Sequence, residues 1–295
     1  MNPKWQQILD QVTALRRAEA KRGATLWYRG QRFAQWPLHS RLHRQCIEYF
    51  TKTKIHFGDS EDRNFLRDEY KTAYRLFKAK AWHLLDPMER GDWGVIFRMQ
   101  HHGFPTRLLD WTRSFACALY FAQLDRNPNE DAAIYVLNPE GLNLVSVGRE
   151  GLVALDEAGT AGNLDTRLYH PRYLMEKSDP PTIAVVPYFS NPRMVAQSSA
   201  FTLSGDSFLP LENQFDGQLV AKDFLRQIIL PAEIYQDIED FLATIGVGHF
   251  EYFPDLEGLR SAYRTEMDRT IEHAREIFSQ SKGWSETIAI EVACF

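Results

Sequence analysis

The stretch Ser114–Leu137, SFACALYFAQLDRNPNEDAAIYVL, decides the fold class, because two periodicities meet in it. Ser114 to Leu124 is rich in Ala, Leu and aromatic residues and reads as a helix. Asn127-Pro128 stops that pattern, since proline lacks an N–H and disfavours helical backbone in the residue before it. Ala132–Leu137 is then a short apolar run with β-branched and aromatic members, bounded by Asn138-Pro139, and reads as a buried strand.

Helical patterns dominate on the N-terminal side of this junction. Residues 4–22 carry Trp5, Ile8, Leu9, Val12 and Leu15 at helical spacing. A short strand from Ala24 to Tyr28 runs into Arg29-Gly30, and a helical pattern follows Pro37 up to Phe50. Residues 51–62 are polar and expected as loop. Asn64–Leu85 has a broad apolar stripe and ends before Pro87, and Asp92–His101 is a further helix broken by Gly103 and Pro105. Strands come after residue 130, at 182–186, 200–203 and 224–230, with loop and one or two short helices over 140–180. A helix over 231–245 is stopped by Gly246. A charged amphipathic helix covers 259–279, with apolar positions Leu259, Tyr263, Met267, Ile271, Ile277 and Phe278, and Thr287–Val292 is a closing strand. The expected class is α+β, a central mixed or antiparallel sheet of short strands with a largely helical N-terminal half. No repeat or Pro/Gly/Ser-rich linker marks a boundary, so one domain is expected over 1–295, with helices 4–22 and 259–279 packed on it.

A net charge of −5 argues against a globally basic nucleic-acid binder. Arg41, Arg44, Lys52 and Lys54 still offer a local patch. The seven Trp, twelve Tyr and nineteen Phe point to an aromatic core before they point to ring platforms for a planar ligand. Cys46, Cys117 and Cys294 lie far apart in no metal-like spacing, which suits a reducing compartment. No apolar run approaches the ~20 residues of a bilayer span, and Met1–Lys21 lacks the apolar centre of a signal peptide, so the cytoplasm is expected and a membrane partner is not.

Four segments carry the chemistry: Trp27-Tyr-Arg-Gly-Gln31 with Trp36-Pro-Leu38 and Arg41; Met99-Gln-His-His-Gly-Phe-Pro-Thr-Arg-Leu-Leu-Asp-Trp-Thr112 leading into Ala118-Leu-Tyr-Phe-Ala122; Asn191-Pro-Arg193 with Ala196-Gln197 and Phe201-Thr202; and Phe253-Pro-Asp-Leu-Glu-Gly-Leu259. The planar fork of Arg29 suits phosphate, with Gly30 allowing close backbone approach and Gln31 beside it; a structural pairing with a carboxylate such as Asp110 explains it equally. His101 and His102 can act as general base or sugar-hydroxyl donor, or can cap the helix before them; metal ligation lacks a spaced partner. Arg107 and Asp110, three apart, pair if the segment is a helical turn. Asp110 can also fix a histidine tautomer or the Arg29 fork. Trp111 is either a stacking ring or core, and Thr112 reads as the N-cap of the next helix. Gln197-Ser198-Ser199 reads as a ribose contact or a polar turn. Asp255 reads as a cap.

In this order and spacing the segments resemble the FRG domain over about residues 26–260. The aromatic-Arg-Gly strand end is also similar to the first motif of arginine-bearing ADP-ribosyltransferases. That similarity implies an ADP-ribosyltransferase-like fold with Arg29 on a phosphate of NAD, Tyr28 and Tyr120 among the stacking rings, and Gly30, Gln31, Arg107, Trp111, Thr112, Gln197 and Phe201 around the ligand. His101, His102 and Asp110 would then shape the nicotinamide-ribose site. The implied activity is ADP-ribosyl transfer or NAD hydrolysis, in a bacterial toxin or phage-defence effector with a nucleic-acid or protein acceptor and no metal. The transferase pattern places a glutamate near Gln197-Ser-Ser-Ala-Phe201, and none stands there. Asp206 and Glu212 are nearby, and Glu257 is a more distant candidate. A non-catalytic nucleotide- or nucleic-acid-binding module is the alternative.

Overall fold

A computed structural model describes residues 2–54, 60–155, 160–161, 164–176, 179–187 and 191–280. The chain divides into two compact units, Met1–Val247 and Gly248–Phe295. The second unit holds the helices His249–Tyr252 and Leu256–Gln280. The strand expected at Thr287–Val292 lies outside the described residues, as does Cys294.

In the first unit, α1 (Pro3–Ala20) begins at Asn2, whose side chain accepts the Lys4 N–H. Next come β1 (Trp27–Gln31), α2 (Arg41–Thr53), α3 (Ser60–Ala81) and α4 (Asp92–His101). Part of the stretch expected as loop over 51–62 is therefore helical; α2 continues to a left-handed Lys54, with the Thr51 hydroxyl bonded back to the Ile47 carbonyl. β2 (Leu108–Thr112) and α5 (Phe115–Gln123) follow, then β3 (Ala132–Leu137) and α6 (Pro139–Val147). Asn138 caps α6 by accepting the Gly141 N–H, and α6 is one of the short helices expected in this stretch. Short pieces follow: β4 (Val153–Ala154), β5 (Thr160–Ala161), β6 (Leu164–Asp165) and α7 (Pro171–Leu174). The unit ends with β7 (Ile183–Val186), α8 (Pro192–Ala196), β8 (Ser199–Leu203), α9 (Gln218–Ala221), β9 (Leu225–Leu230) and α10 (Tyr235–Thr244). No helix among the described residues is long and apolar enough to cross a membrane.

The α+β class is as expected, and the sheet is mixed. Seven strands lie in the order β4-β7-β8-β2-β1-β3-β9, with β4–β7 parallel and the other pairs antiparallel. Two of its central strands, β1 and β2, come from the half of the chain read as largely helical. The helical turn expected at Arg107–Asp110 is instead the start of β2. Leu108 joins the core on one face of the sheet and Leu109 and Trp111 the core on the other, so the strand is buried on both sides and shows little polar alternation.

One face carries a continuous core that includes Trp27, Leu109, Trp111, Tyr135, Leu137 and Leu225. The opposite face carries two cores. One holds Leu42, Tyr70, Phe97 and Phe201 under α2, α3 and α4; the other holds Trp5, Tyr28, Leu119 and Ile238 under α1, α5 and α10. The seam between them follows a seam in the sheet. β1 pairs with β3 from Trp27–Leu137 to Gln31–Ala133, and β2 pairs with β8 from Leu108–Leu203 to Thr112–Ser199. Between β1 and β2 only Tyr28 and Thr112 are in register. Past that pair the two strands part.

Gly30 fixes α5 against this seam. A Cβ on Gly30 would stand 1.9 Å from the Ala118 carbonyl oxygen and 2.6 Å from the Ala122 nitrogen, both backbone atoms of α5. No side chain fits there. Gly30→Ala is expected to lower stability by about 3 kcal/mol or more in urea unfolding, because neither backbone can give way. An unchanged midpoint would show that α5 does not rest on β1 this closely.

Candidate functional site

The site forms where β1 and β2 part. Strand alternation sends Tyr28 and Gly30 to the α5 face and Trp27, Arg29 and Gln31 to the other. Arg29 stands opposite Tyr135 on β3, and its Nη1 donates to the Asp110 carbonyl oxygen at 2.8 Å. The Asp110 carboxylate is farther away, at 4.0 Å, and exposed. Arg29 thus bridges the seam through the backbone of β2, and Asp110 does not neutralise it at close range. Its Nε is buried without a hydrogen-bond partner. Burial lowers the Arg29 pKa to about 10, the Arg44 charge adds to that, and Asp110 and Tyr135 oppose it.

Asp110 is held by α4. Gln100 Nε2 donates to Asp110 Oδ2 at 2.8 Å, and the Thr106 hydroxyl donates to Gln100 Oε1. Gln100 and Thr106 complete a chain of polar contacts from the α4 turn to Arg29. Both lie inside the longest motif, yet neither is a residue type that announces chemistry in a sequence.

Two more guanidinium groups converge from α2. Its N-cap is Ser40, whose Oγ accepts the His43 N–H. Arg41 and Arg44 follow in the first turn, where the helix dipole disfavours positive charge. Arg44 donates to the His39 carbonyl oxygen at 3.0 Å. Burial lowers the Arg44 pKa and so does Arg41, while Asp110 raises it. Arg41 lies over the α4–β2 turn: a Cβ on Gly103 would stand 3.4 Å from its Nη1, and Gly103 has φ +70°. His101 and His102 sit in the same turn with ring centroids 4.8 Å apart, and His102 closes the end of α4. Arg29, Arg41, Arg44, Asp110 and the histidine turn are thereby brought to one locality.

A carboxylate also faces this side of the sheet. Glu212 accepts the Leu38 N–H on both oxygens, at 3.3 and 3.2 Å. Burial pushes its pKa up. Its charge helps raise the Tyr135 phenol to about 12, behind the larger effect of burial, while Arg29 pulls the same phenol down. Glu212 and Arg29 therefore act on one hydroxyl. In the sequence Glu212 is only one of several acids near the third motif, because the fold and not the spacing brings its charge within reach of Tyr135.

The remaining residues lie elsewhere. Arg107 is fully buried and pairs with Asp206 at 2.7 Å rather than with Asp110, because β2 extends the chain where a helical turn would have brought the two together. It also donates to the Gly205 and Leu174 carbonyls at 2.7 and 3.2 Å, and Arg67 pairs with Asp206 as well. Trp111 is core, with Nε1 donating to Thr202 at 3.2 Å. Thr112 does not cap α5; Ser114 does, accepting the Cys117 N–H, while Thr112 donates to the Gln197 carbonyl at 2.6 Å. That bond places Gln197 beside the far end of β2. Tyr28 packs against Phe115 on the α5 face, Tyr120 is half-buried on α5, and Phe201 stacks on Phe97. Glu257 belongs to the second unit, exposed and paired with Arg260 at 2.8 Å. Among the described residues no group of three or more His, Cys, Asp or Glu side chains is arranged to hold a metal.

The family model of the FRG domain matches residues 24–131. The chain carries an FRG domain. The matched residues run from β1 through α5, so Arg29, Arg41, Arg44, Gln100, the histidine turn and Asp110 are all FRG-domain residues, whereas Tyr135, Glu212 and the motifs at 191–202 and 253–259 lie beyond the match. No curated protein and no solved structure matches the chain.

The Arg107–Asp206 pair is a fold element that ties the matched segment to residues beyond it. Asp206→Ala is expected to cost about 3–5 kcal/mol in chemical unfolding, since it leaves a fully buried guanidinium unpaired. Asp110→Ala, at an exposed carboxylate, is expected to stay within about 0.5 kcal/mol of wild type. Equal losses would overturn the division of the two arginines into one structural and one site residue.

Proposed function

We propose that the seam between β1 and β2 binds the diphosphate of NAD and that the protein transfers ADP-ribose from it or hydrolyses it, in the manner of an ADP-ribosyltransferase. The observation that carries this reading is the convergence of Arg29, Arg41 and Arg44 on one locality whose exposed carboxylate stands 4.0 Å from the nearest of them. Three guanidinium groups held together, two of them on a helix N-terminus, repel one another unless an anion joins them. A diphosphate supplies charge, and its oxygens suit planar N–H forks.

Glu212 takes the part for which the third motif has no acid. In the reaction the bond from the ribose anomeric carbon to the nicotinamide nitrogen breaks, and nicotinamide leaves with the electron pair. Positive charge on the ribose is stabilised by a nearby carboxylate. The acceptor oxygen or nitrogen, or water, then bonds to the same carbon and gives up its proton. A carboxylate with a raised pKa is suited to receive it. Loss of NAD or modification of an acceptor suits a toxin or phage-defence effector of the bacterial cytoplasm.

The test is nicotinamide release from NAD by the purified protein, beside ADP-ribose binding by calorimetry. Arg29→Ala is expected to weaken ADP-ribose binding roughly 10- to 100-fold, the loss of a hydrogen-bonded charge pair. Glu212→Gln is expected to keep binding and slow release about 100-fold. ADP-ribose binding without release, alone and with cell extract, would leave a non-catalytic nucleotide-binding module. Neither binding nor release would refute the reading.

A further inference from the structure

The loop that leaves β1 carries a feature the donor site does not use. Trp36 is 44% exposed, although its surroundings are built to hold it still. Its ring lies 4.8 Å from that of Phe33, tilted 56°. The Arg32 guanidinium stands 5.2 Å from the Trp36 ring and 5.6 Å from the Phe33 ring. A turn closes the loop, with the Trp36 N–H donating to the Phe33 carbonyl at 3.3 Å, and the Tyr135 hydroxyl donates to the Trp36 carbonyl at 3.4 Å. Pro37 follows at once. Burying an indole would stabilise the chain, so an indole held in place by its neighbours and still 44% exposed leaves ring surface for a ligand.

The charge beside it has the matching sign. The chain runs from Trp36 through His39, whose carbonyl holds Arg44, into the first turn of α2 with Arg41. Arg29, Arg32, Arg41 and Arg44 together exceed the two negative charges of a diphosphate. Asp125 offsets Arg32 only in part, at 3.6 Å and largely exposed. A ring platform next to a surplus of arginines is how proteins hold a single-stranded nucleic acid, with a base on the ring and phosphates on the guanidinium groups.

We infer that Trp36, braced by Phe33 and Arg32, stacks a base of a single-stranded nucleic acid whose phosphates lie along Arg32 and the one of Arg41 and Arg44 that the donor diphosphate does not engage. Resting on the proposed function, this makes that strand the acceptor, but it is tested without NAD. A labelled mixed-sequence single strand of about 12 nucleotides, as DNA and as RNA, is titrated with protein and followed by anisotropy. Binding is expected at low salt, to fall steeply with added salt, and to exceed that of the same sequence as a duplex. Trp36→Ala is expected to weaken it at least about tenfold, with Trp36→Tyr restoring most of it and ADP-ribose binding unaffected in both. No binding at low salt, or equal binding by Trp36→Ala, overturns the inference. So does a Trp36→Ala protein that binds the strand normally and loses ADP-ribose, which would make the platform the adenine site of the donor. Loss of nicotinamide release in Arg29→Ala is a separate readout, so the donor reading and the acceptor reading can fail independently.

Discussion

The backbone of α5 lies directly on the backbone of β1 at Gly30, closer than any side chain would permit. Much of the site's geometry follows from that approach. With α5 against one face of β1, Tyr28 is committed to the core beneath it and Arg29 to the other face. Because β1 is held to α5 and β3 while β2 is held to β8, the two strands share only the Tyr28–Thr112 pair. The seam this leaves is where Arg29 reaches the Asp110 carbonyl. The aromatic-Arg-Gly motif is thus one device: an aromatic anchor, a guanidinium aimed into the seam, and a glycine that lets the helix close behind it.

The two arginines of the strongest motifs have opposite surroundings. Arg107 has a carboxylate and two carbonyls around it inside the protein. Arg29 has a carbonyl, an orphaned Nε and the charge of Arg44, which Arg41 adjoins in turn. A buried charge with its partners in place is a closed arrangement that holds elements together. A cluster of like charges with one exposed carboxylate is an open one, and under the proposed function its counter-charge comes from the ligand.

Much of this was legible in the sequence. The α+β class, α4, β3 and most other elements followed from periodicity and from Pro and Gly. β2 did not, since it is buried on both faces and begins next to a helical stretch. The longest motif located Asp110 and the histidine turn, but not that Arg107 faces inward; residue type alone does not distinguish an arginine with an internal partner from one without. Gln100 lay in that motif unremarked, because an amide shows its use only when its two partners are in place. Glu212 stands near the third motif in the chain, and its effect on Tyr135 depends on the fold that brings its carboxylate to the Leu38 N–H. Trp36 stands in a sequence motif; its exposure is a property of the fold.

The central claim is that the charge gathered at the seam belongs to a ligand's diphosphate. A crystal structure of the protein with ADP-ribose tests it most directly. The expected result is the diphosphate at the parting of β1 and β2, hydrogen-bonded to the Arg29 guanidinium, with Arg41 or Arg44 on its other side. A diphosphate bound elsewhere, with Arg29 still engaged only by the Asp110 carbonyl, would contradict the account and leave Arg29 a structural bridge between two strands.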